Sequence, residues 1–430
     1  MNLVVHAPMI LPDSPSYLDN AKKSPLTIEF YFGSRPPTIP LFYHMLNSNP
    51  KAITIFQTLL CMGAWSMLGL TMAGAVKNWL LKALMVGSVA GLALLPDIQL
   101  WNTVILSESI SYSLFAILCS LMFIMTTCDN RPRYLVAVTG IAGVLFGSAK
   151  DTNAYLGLFV GLVMILIFVL SLKKGTKLNI GALLLGFLFA STFLFSNYSA
   201  DHVDLNPDNN RWEFSFFNIM GKRILVDDNL LAHFKQCGMP VNDALIRRTD
   251  KWVYEDSSAF YTDPELKKFR VWVKQSGKSC YANYLIRHPD YAFKRLFIMK
   301  DWILHIEPTI DLIGVYASKP YKLDSFAKSI TLHKKAWLNG LLLTGSLLMV
   351  LIIVSRSFNK YIAFSLIMLM LTIPHAFVCY HGDVMEILRH CLPVALQLYL
   401  GLILLSIFCV DTLVPMVKST TDRLLARSHL

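Results

Sequence analysis

Ala154-Tyr155-Leu156-Gly157-Leu158-Phe159-Val160-Gly161-Leu162-Val163-Met164-Ile165-Leu166-Ile167-Phe168-Val169-Leu170-Ser171-Leu172 runs without one charged side chain. A helix of this length rises roughly 28 Å, close to the hydrocarbon thickness of a bilayer. Asp151 precedes the run, and Lys173 and Lys174 end it. Further apolar runs lie at 52–76, 79–95, 104–126, 134–149, 178–197, 338–355, 361–379 and 391–414. Composition agrees: 54% of the 430 residues are hydrophobic, 16% are charged and mean hydropathy is +0.49. A soluble domain carries roughly 25% charged residues. The expected fold is therefore an all-α polytopic membrane helix bundle of about nine spans.

The net charge of +11 raises the question of nucleic acid. Much of the positive charge falls instead in short connectors, where it acts as an orientation signal. Lys77 and Lys82; Arg131 and Arg133; Lys173, Lys174 and Lys177; Arg356 and Lys360; and the tail residues Lys418, Arg423 and Arg427 share one side if the spans alternate. That side is expected to be cytoplasmic, and no nucleic-acid partner is expected. The opposite connectors 96–103, 150–153 and 380–390 hold only Lys150 and Arg389 as basic residues. Residues 1–51 then face outward as an acidic loop region, although nothing visible carries them there. A missing initial span, with Val4–Ile10 the helical remnant of its outer end, would account for this, as would insertion of the first run with its N-terminus out.

Five regions follow: the outer loop region 1–51, about six spans over 52–197, a mostly helical extracytoplasmic domain over 198–335, about three spans over 336–415, and a basic cytoplasmic tail over 416–430. Helical stretches are expected at 226–236, 263–275 and 280–298, the last split by Pro289. Cys237 and Cys280 fall in the outer domain, where an oxidising compartment would allow a disulfide; two free thiols are the alternative. The cysteines show no zinc-ligand spacing.

Several short stretches resemble the GT-C superfamily of integral membrane glycosyltransferases, especially bacterial relatives of protein O-mannosyltransferases and aminoarabinose transferases. They are Pro12-Asp13-Ser14-x-Ser16-Tyr17-Leu18, then Arg35-Pro36-Pro37-x-x-Pro40, Ser107-Glu108 at the start of a span, and Arg389-His390-x-x-Pro393 leading into the last span. The chain departs from the family in lacking a span before the acidic loop, and only Asp19 supplies a second nearby acid.

The resemblance implies a polyprenyl-phosphate sugar donor, a lipid or glycan acceptor, and a site at the outer face of an inner membrane. Asp13 is then the catalytic base for the acceptor hydroxyl. Arg389 and Lys150 would bind the donor phosphate, Arg389 through its planar fork. Glu108, Asp383, Glu386, His390 and Arg35 would support substrate or structure. If 383–390 is helical, Asp383, Glu386 and His390 share a face, and the two carboxylates orient Arg389. Each residue also has a plainer role. Asp13 suits a solvated turn, and Glu108 suits a helix start capped by Ser107. Lys150 and Asp151 could pair with each other, and the 383–390 charges could be local ion pairs. Asp13 with Asp383 or Glu386 offers oxygens for one divalent ion, but no ligand run fixes a metal. Trp212, Trp252, Trp272 and Trp302 could stack on sugar or pack the outer domain. The rival readings are an O-antigen polymerase or ligase, using Arg211, Arg223, Arg287, His288 and Arg295, and a transporter or flippase of lipid-linked substrates.

Overall fold

The computed structural model describes residues 8–128, 132, 134–173, 180–206, 209–255, 259–304, 306, 336–355 and 359–428. Each apolar run becomes a helix: α3 (Pro50–Gly74), α4 (Trp79–Ala93), α6 (Glu108–Thr127), α7 (Tyr134–Gly147), α8 (Asp151–Lys173), α9 (Ile180–Asp201), α15 (Ala336–Ser355), α16 (Lys360–Gly382) and α17 (Ile387–Ser428). Ahead of them come α1 (Ser14–Lys22) and α2 (Thr38–Met45), and α5 (Pro96–Trp101) precedes α6. Seven of the apolar helices are long enough to cross a membrane; α4 and α7, at 15 and 14 residues, are shorter. Their rise of roughly 21–23 Å falls short of the hydrocarbon core. Among the described residues there is no sheet, only an isolated bridge between Met9 and Val104.

Local sequence sets the helix ends. Asn49, Asn78 and Asn359 each accept backbone N–H bonds at the start of α3, α4 and α16, the usual work of an N-cap. Helix α8 opens on Asp151 and closes on Lys173, as the helix dipole favours. Small residues allow close packing without a water-driven core. The Cβ position of Gly186 lies 3.0 Å from the Gly161 carbonyl oxygen, and that of Gly143 lies 1.9 Å from the Phe189 ring. Helices α6 and α17 run through the centre, where Phe123 stacks on Phe408.

The two ends of the bundle differ. At one, the Asp411 carboxylate accepts the backbone N–H groups of Lys77 and Asn78, and Asn359 donates to Thr412. At the other lie the starts of α6, α8 and α17 and the ends of α9 and α16. A helical domain covers that second end. Its helices include α10 (Glu213–Ile219), α11 (Asp228–Gln236), α12 (Lys267–Trp272), α13 (Lys278–Arg287) and α14 (Pro289–Ile298). Phe217, Phe234, Phe260 and Phe269 form its core. A Cys237–Cys280 disulfide ties the end of α11 to α13. The 280–298 stretch is split at Pro289, as the sequence suggests. Residues 307–335 of the expected domain lie outside the described residues, as do Arg131, Arg133, Lys174, Lys177 and Arg356.

Three expectations need correction. The third span starts at Glu108, not 104, because Val104 bridges to Met9 and residues 105–107 form a bend. Thr103 O and Ile105 N pair with Met9. Met9 is accordingly extended, not the end of a helix. The segment 383–386 is not helical: Asp383 is extended, Glu386 has φ +50°, and α17 begins only at Ile387.

Candidate functional site

A cleft of about 1140 Å³ opens between the helical domain and the covered end of the bundle. Its lining includes Asp13, Arg35, Lys150, Asp383, Glu386, Arg389 and His390. Glu108 lies directly behind it, 1% exposed. Residues from both ends of the chain therefore meet in one place.

Asp13 sits at the N-cap of α1 but makes no capping bond. Ser14 takes the local role, its Oγ accepting the Leu11 N–H at 2.9 Å. The Asp13 carboxylate turns instead to Arg35, whose Nη2 donates at 2.8 Å. The Arg35 Nε donates to Ser16 Oγ at 2.7 Å, and its guanidinium lies over the Tyr17 ring. Burial opposes the Arg35 charge, but Tyr17 and Asp13 outweigh it and raise the pKa. The second cation near Asp13 is Arg389, 3.7 Å from its Oδ2.

Arg389 is the hub. Its Nε donates to Glu108 Oε1 at 2.8 Å and its Nη1 to Glu386 Oε2 at 2.6 Å. Lys150 reaches the same Glu108 oxygen at 3.4 Å. The Trp101 ring lies 5.5 Å from the Arg389 guanidinium. A nearly buried carboxylate is costly unless paired, and here two cations share it. The cluster balances three acids, Asp13, Glu108 and Glu386, with three bases, Arg35, Lys150 and Arg389. Arg389 Nη2 has no protein partner among the described residues. Asp13 is the most open of the acids, 45% exposed against 21% for Glu386. The arrangement thus offers a reachable base beside recessed cations with donor capacity to spare.

Several roles differ from expectation. Asp383 does not orient Arg389. Its Oδ1 accepts the N–H groups of Val384 and Met385, and its Oδ2 accepts from Ser215 at 2.8 Å, with His390 at 3.8 Å. It fixes the turn between α16 and α17. Burial pushes its carboxyl above the usual range, against the hydrogen bonds that favour the charge. Lys150 pairs with Glu108, not with its neighbour Asp151, which holds Arg211 at 3.0 Å. Ser107 makes no cap to α6; its Oγ lies 3.4 Å from Glu108 Oε2. Among the described residues Asp13, Asp383 and Glu386 belong to no cluster of three or more ligand side chains. Among the described residues the one such group is His233, Cys237 and Cys280, and its two cysteines are disulfide-bonded.

Sequence reasoning missed Trp101 and the structural use of Arg211. Arg211 donates to Asp151, Ser199 and the Gly33 carbonyl, pinning the N-terminal loop region to α8 and α9. No spacing signals contacts across 60 and 178 residues. Trp212 and Trp252 line the cleft. Trp272 packs the domain core and donates to Cys237 O; the Trp302 side chain lies outside the described residues. Compared with family models, curated proteins and solved structures, the chain matches none.

Proposed function

We propose that this is a membrane glycosyltransferase moving a sugar from a polyprenyl-phosphate donor to a lipid or glycan acceptor at the outer face of the membrane. The observation that carries the reading is the convergence of Asp13, Arg35, Glu108, Lys150, Glu386 and Arg389 at one end of an apolar helix bundle. Charges at a membrane edge are costly and mark function or pairing; here they are paired and also face a large cleft. A donor of this kind keeps its lipid in the bilayer and its phosphate at that level.

In the proposed reaction the acceptor hydroxyl gives its proton to Asp13. Its oxygen forms a bond to the anomeric carbon of the donor. The bond from that carbon to phosphate oxygen breaks, and the electron pair leaves with the polyprenyl phosphate. Arg389 and Lys150 stabilise the growing phosphate charge. Glu108 and Glu386 hold Arg389 in place for this. An orientation with the cleft outside fits the Cys237–Cys280 disulfide, which needs an oxidising compartment.

The rival readings draw less support. Of Arg211, Arg223, Arg287, His288 and Arg295, only Arg211 lines the cleft, and it is tied to Asp151. That weighs against an arginine-driven polymerase or ligase. A transporter path calls for charges at mid-membrane depth, whereas the charges here cluster at the helix ends.

Native mass spectrometry with undecaprenyl phosphate tests the donor site. The wild-type protein should retain one lipid, and Arg389→Ala should lose it by about tenfold or more, the range of a lost charge-assisted contact. Equal retention by both proteins would remove Arg389 from the site.

A further inference from the structure

Helix α14 carries an anomaly for a helix in a water-facing domain. One side packs inward: Ala292 is fully buried, and its carbonyl lies 3.3 Å from His381 Nε2. The other side exposes Phe293 at 53% and, one turn on, Phe297 at 70% and Ile298 at 57%. Ile286, just before it, is 77% exposed. The same stretch holds Arg287, Lys294 and Lys300 against one acid on the helix, Asp290, and Lys300 Nζ lies 4.4 Å from the Phe297 ring centre. Apolar residues between long basic side chains are the pattern of a helix lying in a membrane interface.

Its position names the partner. The Phe293 ring meets Phe377 of α16 at 6.3 Å. Phe377 continues, one turn on, the exposed apolar residues Met370 and Ile373 of that spanning helix, 69% and 58% exposed. The apolar face of a span therefore leads, through the partly buried Phe377, to α14. We propose that α14 lies in the boundary between headgroups and acyl chains of the bilayer. Phe293, Phe297 and Ile298 sit among the chains, and Arg287, Lys294 and Lys300 meet lipid phosphates. Because Phe377 also lines the cleft, this contact holds the cleft mouth at the membrane surface. The proposal stands on the multi-span character of the chain and not on its chemistry.

The test places the photo-crosslinker p-benzoylphenylalanine at Phe297, with Lys268 of the same domain as comparison. Both side chains are exposed, so neither substitution disturbs a core. The protein is reconstituted in vesicles of phosphatidylethanolamine and phosphatidylglycerol, irradiated and analysed by mass spectrometry. Phospholipid adducts at 297 and none at 268 are expected, with a lower yield in phosphatidylcholine vesicles. Adducts to residues 307–335, adducts to a second copy of the chain, or no adduct at 297 would each overturn the proposal. An unchanged yield in phosphatidylcholine would overturn the role given to the three cations.

Discussion

At the scale of single residues, burial separates holding from reacting. Glu108 is 1% exposed and bridges two cations, so Glu108→Ala leaves Arg389 and Lys150 without their shared partner. Breaking a buried pair costs about 3–5 kcal/mol, and a marked fall in thermal midpoint should follow. Asp13 is nearly half exposed, and its pair with Arg35 contributes at most about 1 kcal/mol. Asp13→Asn should leave the midpoint almost unchanged while transfer falls by about 10² or more, the scale of a lost general base. Calorimetry and an activity assay on the two variants check the contrast; a large midpoint loss in Asp13→Asn would make Asp13 a structural residue. Asp383 offers a pH test. Its folded-state carboxyl is raised by burial, so it contributes stability at low pH that is lost as pH rises through that folded value. Asn can take the same Val384, Met385 and Ser215 contacts without a charge. Relative to wild type, Asp383→Asn should therefore be more stable at neutral pH than at acid pH. Midpoints measured across pH would show it, and the opposite slope would refute the assignment.

At the scale of elements, apolar length and small residues explain most of the bundle. Runs such as 154–172 become helices because no other backbone pairing is available in lipid. Helix packing rests on glycines that periodicity does not single out. A methyl at Gly143 would meet Phe189 at 1.9 Å, so Gly143→Ala should cost about 1–3 kcal/mol through overpacking, whereas Gly63→Ala, with open space around it, should be near neutral. Unfolding in detergent measures both. The element least legible in the sequence was the 383–390 stretch. Its spacing suits a helix, but the Asp383 side chain captures two backbone N–H groups and Glu386 takes a left-handed conformation, so the helix starts later. Local side-chain bonds of that kind compete with helix formation. The charges still converge, by a route that spacing did not reveal. Lys150 and Arg389 were legible as the only basic residues of the connectors 96–103, 150–153 and 380–390, and Asp13 through its place in the Pro12–Leu18 loop. Their shared hub, Glu108 to Arg389 across 281 residues, was not.

At the scale of the whole molecule, a helical domain and a charged bundle end enclose a large cleft. Orientation is testable on its own. Cysteines placed at Asp19 and Gly382 should react with an impermeant thiol reagent added to intact cells, and one at Lys360 should not; labelling at Lys360 alone would invert the topology. The most direct measurement of the central claim is mass spectrometry of surface glycans from cells lacking the protein. The account predicts loss of a mass increment equal to one sugar, restored by the wild-type chain and not by Asp13→Asn. Unchanged glycans in cells lacking the protein would contradict it.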